Sequence, residues 1–138
     1  MSIAERSIHR WHEVVRSGDP AALMALLEDD VTFHSPVVHT PQEGARITAL
    51  YLNAAHRVLV NETFRYVREA HQDQLSVLEF LVTVDGIEIN AVDMIQWSDQ
   101  GKIVDFKVMV RPAKAMNLLH GKMAEMLQSL SGSQPPNP

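Results

Sequence analysis

Ile87-Glu88-Ile89-Asn90-Ala91-Val92-Asp93-Met94-Ile95-Gln96-Trp97 reads as one long strand with an almost continuous apolar face. Successive side chains of a strand point to opposite sides, so Ile87, Ile89, Ala91, Asp93, Ile95 and Trp97 share one face and Glu88, Asn90, Val92, Met94 and Gln96 the other. The first row belongs against a core, and Asp93 interrupts it. An ionised carboxylate among apolar neighbours has to find hydrogen-bond donors, bind a cation, or raise its pKa and stay neutral. Each outcome marks a candidate site; the structural alternative is an aspartate saturated by backbone N–H groups or an arginine.

The flanks of this strand supply its neighbours. Asp85-Gly86 is a two-residue hairpin signal, Ser98-Asp99-Gln100-Gly101 marks the next turn and Gln72-Asp73-Gln74 the previous one. Four strands therefore run between Glu62 and Val110, and such short connections force antiparallel pairing, which excludes a doubly wound parallel sheet. Leu78, Phe80, Val82 and Val84, then Val104, Phe106, Val108 and Val110, continue the core face. The opposite parities, Val77, Glu79, Leu81 and Thr83 with Ile103, Asp105, Lys107 and Met109, are mixed. A sheet face of that kind suits half-coverage by a second subunit, so a homodimer through the outer sheet face is expected. A salt bridge to Arg65 or Lys107 is the expected role of Glu79.

Upstream, Ala4, Ile8, Trp11 and Val15 share one face of a helix over Ile3 to Ser17, which Gly18 ends. Asp19-Pro20 starts a short second helix with Leu23, Leu26 and Leu27 as its buried face, and Asp29-Asp30 marks a turn. Val31, Phe33, Ser35 and Val37 form one parity of a short strand, again with a single polar residue, Ser35. Thr40, Pro41 and Glu43 read as a capping box opening a third helix that carries Ile47, Leu50, Tyr51, Ala54 and Val58. Downstream, Pro112 opens a methionine-rich helix with Met116, Leu119, Met123, Met126 and Leu130 in register. That helix either closes a pocket with adaptable thioether side chains or simply packs on the sheet. One domain over residues 1–130 with a disordered tail over 131–138 follows from this layout.

An apolar fraction of 46% and a charged fraction of 21% are those of a soluble globular chain. No apolar run approaches the ~20 residues of a membrane helix, and Glu5, Arg6, His9, Arg10 and His12 rule out a secretory signal at the start, so a cytoplasmic protein is expected. A net charge of −5 without a basic cluster excludes nucleic-acid and anionic-membrane binding. The absence of cysteine removes thiol chemistry and Cys-ligated zinc. Among the histidines, His9 with His12 and His34 with His39 lack a recognisable metal-ligand spacing, so neither a metal nor another cofactor is expected.

Two segments carry a family resemblance. Ser17-Gly-Asp-Pro-Ala-Ala-Leu-Met-Ala-Leu-Leu-Glu-Asp-Asp-Val-Thr-Phe-His-Ser-Pro36 resembles the helix-turn-strand entry of the nuclear transport factor two-like superfamily, and Val92-Asp-Met-Ile-Gln-Trp-Ser-Asp-Gln-Gly-Lys-Ile-Val-Asp-Phe-Lys107 resembles its later hairpin. The match covers roughly Ile3 to Val110 and points to the SnoaL-like and ketosteroid isomerase-like branch. It implies an α+β fold, a cone-shaped curved antiparallel sheet wrapped around N-terminal helices in the order α-α-β-α-β-β-β-β, plus the C-terminal helix.

The resemblance also implies a site. Asp93 matches the isomerases' aspartic acid, which an apolar site keeps neutral so that it donates a hydrogen bond. Trp11 stands where they carry a tyrosine donor, and Ser35 where they carry the aspartate base. A lone serine does not abstract a carbon-bound proton at neutral pH, so classical ketosteroid isomerisation is not expected. His12, beside Trp11, is a candidate second acid–base group. The implied apolar pocket would be lined by Phe33, Tyr51, Phe80, Ile95 and Phe106, with Trp97 read as core packing. The function expected is binding of a hydrophobic cyclic small molecule, with isomerisation or cyclisation by Asp93 as acid; the alternative is a non-catalytic binding or interaction domain.

Overall fold

A computed structural model describes residues 1–130, so the tail expected at 131–138 lies outside the described residues. Helix α1 (Ile3–Ser17) opens with a capping box between Ser2 and Glu5 and ends at Gly18, whose φ of 66° supplies the left-handed stop. Helix α2 (Pro20–Leu26) follows, with the Asp19 carboxylate accepting from the Ala21 N–H at 3.0 Å. Strand β1 (Leu27–His34) runs straight through Asp29 and Asp30, which are exposed strand residues and not a turn. The Thr40–Glu43 capping box does not form. Gln42–Glu43 is instead a short strand, β2, paired with Thr32 and Phe33, and the Gly44 N–H donates to the Val31 carbonyl at 2.7 Å. Helix α3 (Ala45–Leu59) therefore starts after Gly44, because backbone pairing has already claimed the residues that would have capped it.

Strands β3 (Arg65–Gln72), β4 (Leu75–Val84), β5 (Ile87–Trp97) and β6 (Ile103–Arg111) form the expected antiparallel run, and α4 (Ala113–Leu130) returns over it. Asp85 and Gly86 both have positive φ, 50° and 77°, as a tight hairpin turn between right-twisted strands requires. The six-stranded sheet has the order β2-β1-β6-β5-β4-β3. It is mixed, not wholly antiparallel, because β1 pairs with β6 in parallel. Short turns dictate direction only between consecutive strands, and β1 and β6 are separated by most of the chain. A register shift at Gln96 and Trp97 sets Ile103 opposite Trp97, which buries Ile103 and half-exposes Val104, the reverse of simple alternation. Glu79 pairs with Arg68 and accepts from Asn90 at 2.9 Å, rather than meeting Arg65 or Lys107. Among the described residues no helix is long and apolar enough to cross a membrane.

The inner sheet face packs into two apolar clusters. One joins Ile8, Trp11 and Val14 of α1 and Leu23 of α2 to Phe33, Leu78, Ile95, Trp97, Ile103 and Phe106. The other joins Leu59 of α3 and Leu119 of α4 to Phe80, Val82, Ile89 and Ala91. On β5 the boundary falls between Ala91 and Ile95, and the residue there is Asp93. At the first cluster's end, the Trp97 indole N–H donates to Ser76 Oγ at 2.9 Å; Ser76 meets His71 Nδ1 at 2.8 Å, and Glu69 lies against both His71 and His12.

Gly18 tests how tightly the first corner is built. A Cβ there would lie 2.8 Å from His56 Cε1 on a backbone at positive φ. Gly18→Ala is expected to lower stability by about 1–2 kcal/mol in urea unfolding. An unchanged midpoint would contradict the packing described.

Candidate functional site

Between the two clusters lies a cavity of about 620 Å³, a size suited to a small organic molecule. Trp11 on α1, Phe33 on β1 and Phe106 on β6 wall it from one cluster, and Leu59 on α3, Phe80 on β4 and Leu119 on α4 from the other. The aromatic walls interlock: Trp11 meets Phe106 at 5.1 Å between ring centroids, and Phe33 meets Tyr51 at 5.5 Å. The C-terminal helix is part of this wall, with Leu119, His120, Met123, Ala124, Leu127 and Gln128 along it.

Asp93 lines the cavity from the sheet, paired in register with Leu78 and Val108, and is 6% exposed. Among the described residues no hydrogen-bond donor or cation meets its carboxyl. Burial alone pushes its pKa up to about 8, so at neutral pH the group is mainly a carboxylic acid with a proton to donate. Of the three outcomes open to a carboxyl on this face, it adopts the neutral one.

A second donor stands nearby. Tyr66 is set on β3 opposite Phe80, touches both clusters, and lines the same cavity. The Trp11 indole N–H donates to its hydroxyl at 3.0 Å. An indole N–H only donates, so the phenol oxygen accepts and its own proton remains available. Burial first, and then Asp93, hold the Tyr66 pKa well above its ordinary value, so the phenol stays protonated. The site thus offers two neutral O–H donors at the floor of an apolar cavity, an arrangement that stabilises negative charge developing on a ligand oxygen.

The sequence-predicted residues divide. Trp11, Phe33, Ser35, Tyr51, Phe80, Asp93 and Phe106 line the cavity together. Ile95 does not; it is fully buried in the first cluster, beyond the cavity floor. His12 does not either, because one step along α1 from Trp11 turns it about 100° away, toward β3. There its Nε2 lies 3.0 Å from Glu69, and its ring sits edge-on to Tyr66 at 5.3 Å. Ser35 lies just past β1, and its Oγ accepts from the N–H groups of Val37 at 3.1 Å and Val38 at 3.4 Å. That hydroxyl shapes a turn, and its lone pairs are already engaged. Among the described residues no group of side chains is arranged to hold a metal ion. Sequence reading missed Tyr66 and His56; the Phe64–Tyr66 alternation at the start of β3 was the available signal for the first.

The sequence profile of the SnoaL-like domain matches residues 8–106. A steroid delta-isomerase from Pseudomonas aeruginosa is 36% identical over 96% of this chain and 97% of its own, with a TM-score of 0.87. A bacterial protein with a cystatin-like fold from Silicibacter pomeroyi is 31% identical over 90% of this chain and 84% of its own, with a TM-score of 0.76. The epoxide hydrolase/cyclase-like enzyme SalBIII, 17% identical over 78% of this chain and 90% of its own with a TM-score of 0.64, shares the fold. No curated protein sequence matches the chain.

The buried acid makes stability depend on pH. An unfolded aspartate releases its proton near 3.8 and the folded one near 8, so between these values the folded state holds more protons. Stability from this group therefore falls as pH rises from 3.8 and levels off above about 8. Asp93→Asn is expected to be more stable than the wild type at about pH 9, by on the order of a few kcal/mol in urea unfolding, and to differ little at about pH 4. Equal differences at both pH values would show that Asp93 does not titrate this way.

Proposed function

Because this chain belongs to the SnoaL-like family and has the nuclear transport factor two-like fold, we propose that its cavity binds a hydrophobic cyclic small molecule carrying a carbonyl or similar oxygen. Asp93 donates a hydrogen bond to that oxygen as a neutral acid, and the protein promotes an acid–base isomerisation or cyclisation of the ligand. The observation that carries this reading is the partnerless, uncharged carboxyl of Asp93 in an apolar cavity. Leaving such a group unsatisfied costs about 1–3 kcal/mol, which a ligand acceptor would recover. Similarity to a steroid delta-isomerase over nearly the whole chain supports an isomerisation at a ring system.

Ser35 favours a second reading. Its oxygen is occupied by two backbone N–H groups, so the wall lacks a base at the position where the isomerases hold one. On that reading the protein retains ligand without converting it. Either reading is compatible with a homodimer through the outer sheet face, where Val67, Leu75 and Met109 are exposed; this association is part of the proposal.

Calorimetric titration with β-tetralone and androstenedione, two cyclic ketones of different size, tests the binding claim. Saturable binding of at least one is expected, weakened about fivefold in Asp93→Leu, since one lost hydrogen bond is worth ~1 kcal/mol. Affinity is also expected to fall as pH rises through about 8, where Asp93 loses the proton it donates. Binding of neither ketone, or binding indifferent to both changes, would refute the proposal.

A further inference from the structure

The ionisable side chains that line the cavity are Asp93, Tyr51, Tyr66, His56 and His120. Asp93 and Tyr66 hold their protons, and a phenol is not a base near neutrality. Only the two imidazoles have the chemistry to remove a proton there. They differ in how they are held. His120 is exposed on α4, and among the described residues no hydrogen bond fixes its ring. His56, half-buried in the last turn of α3, places Nε2 2.8 Å from the Val15 carbonyl oxygen.

That contact fixes the tautomer. A carbonyl only accepts, so Nε2 carries the hydrogen and Nδ1 of the neutral ring carries the lone pair. Among the described residues nothing donates to Nδ1. The ring is also fixed from behind, because it packs on Gly18, where a Cβ would lie 3.4 Å from Nδ1 and 2.8 Å from Cε1. Val15 is one helical turn from Trp11, about 6 Å along α1, and Trp11 holds the Tyr66 hydroxyl. An oriented imidazole and two O–H donors thus line the same apolar space.

From this geometry we infer that His56 is the catalytic base of the cavity, acting on the carbon beside the carbonyl of the cyclic ligand proposed above. This assignment rests on the binding proposed above and supplies the base that Ser35 does not. In the forward step Nδ1 takes the proton from that carbon. The C–H electron pair forms a carbon–carbon double bond, and the carbonyl π pair moves onto oxygen, where the Asp93 and Tyr66 O–H groups hold it. The imidazolium then returns the proton, either to the same carbon or to the far end of a conjugated system. The first outcome is exchange with solvent and the second is isomerisation; neither consumes a co-reactant.

Exchange of the ring hydrogens of β-tetralone in deuterium oxide, followed by proton NMR, reads the step directly. The wild type is expected to accelerate exchange over the buffer rate. His56→Gln keeps an N–H donor for the Val15 carbonyl, so it is expected to fold and bind the ketone within a few-fold of wild type while losing about a hundredfold or more of the acceleration. His56→Ala gives the same loss without the hydrogen bond to Val15 and is checked by its melting curve. Bound ketone with no accelerated exchange overturns the base assignment and leaves the binding proposal standing. Full exchange in His56→Gln, or its loss in His120→Gln instead, overturns it as well. Failure of the ketone to bind removes the premise and the assignment together.

Discussion

A single curved sheet whose inner face carries two separate apolar clusters has to leave space where the clusters diverge, and that constraint governs this molecule. Helices α1 and α2 with the first half of α3 build one cluster, and the second half of α3 with α4 builds the other. Six strands hydrogen-bonded edge to edge do not fold sharply enough to close the gap, so side chains from both clusters border it. Close packing is the rule in protein interiors, and a gap of about 620 Å³ forgoes the dispersion contacts that would fill it. The chain tolerates that loss where its buried acid also lies.

Polar groups inside the fold sort by location. Towards one end of the first cluster they are saturated: Trp97, Ser76, His71, Glu69 and His12 pass donors to acceptors in an unbroken series from α1 through β3 and β4 to β5. On the outer face Glu79, Arg68, Asn90 and Arg111 satisfy one another, as His34 does with Asp105. At the cavity the pattern stops. The Asp93 and Tyr66 protons and His56 Nδ1 are left over, and all three belong to residues lining the same space. Three groups with unused hydrogen-bonding capacity around one cavity, against a single buried unpartnered hydroxyl elsewhere among the described residues, Thr48 Oγ1, distinguish a site from a packing defect.

What was legible in the sequence was whatever depends on nearest neighbours. The alternation of β5, the Asp85-Gly86 turn and the α1 stripe each follow from local periodicity, and they appear as read except that Val14, not Val15, is the buried residue closing the stripe. Asp93 was visible because one carboxyl in an apolar row violates a pattern of period two. Features set by distant pairing were not visible. Glu43 was assigned to a helix cap, yet pairing of its strand with Thr32 and Phe33 decides its conformation. Ile95 has the same parity as Asp93 but lies one step past the point where the clusters separate, and no periodicity encodes that point. His56 was hidden for the same reason, since its partners, Val15 and Gly18, come from another helix.

The C-terminal helix gives this fold a thermodynamic connection between its end and its interior. Because Leu119, Met123 and Leu127 help wall the cavity, a molecule inside it rests on α4 as well as on the sheet. Occupancy and the docking of that helix are then linked equilibria, each favouring the other by the same free energy. The helix is one side of the container, and its hold on the sheet measures how full the container is.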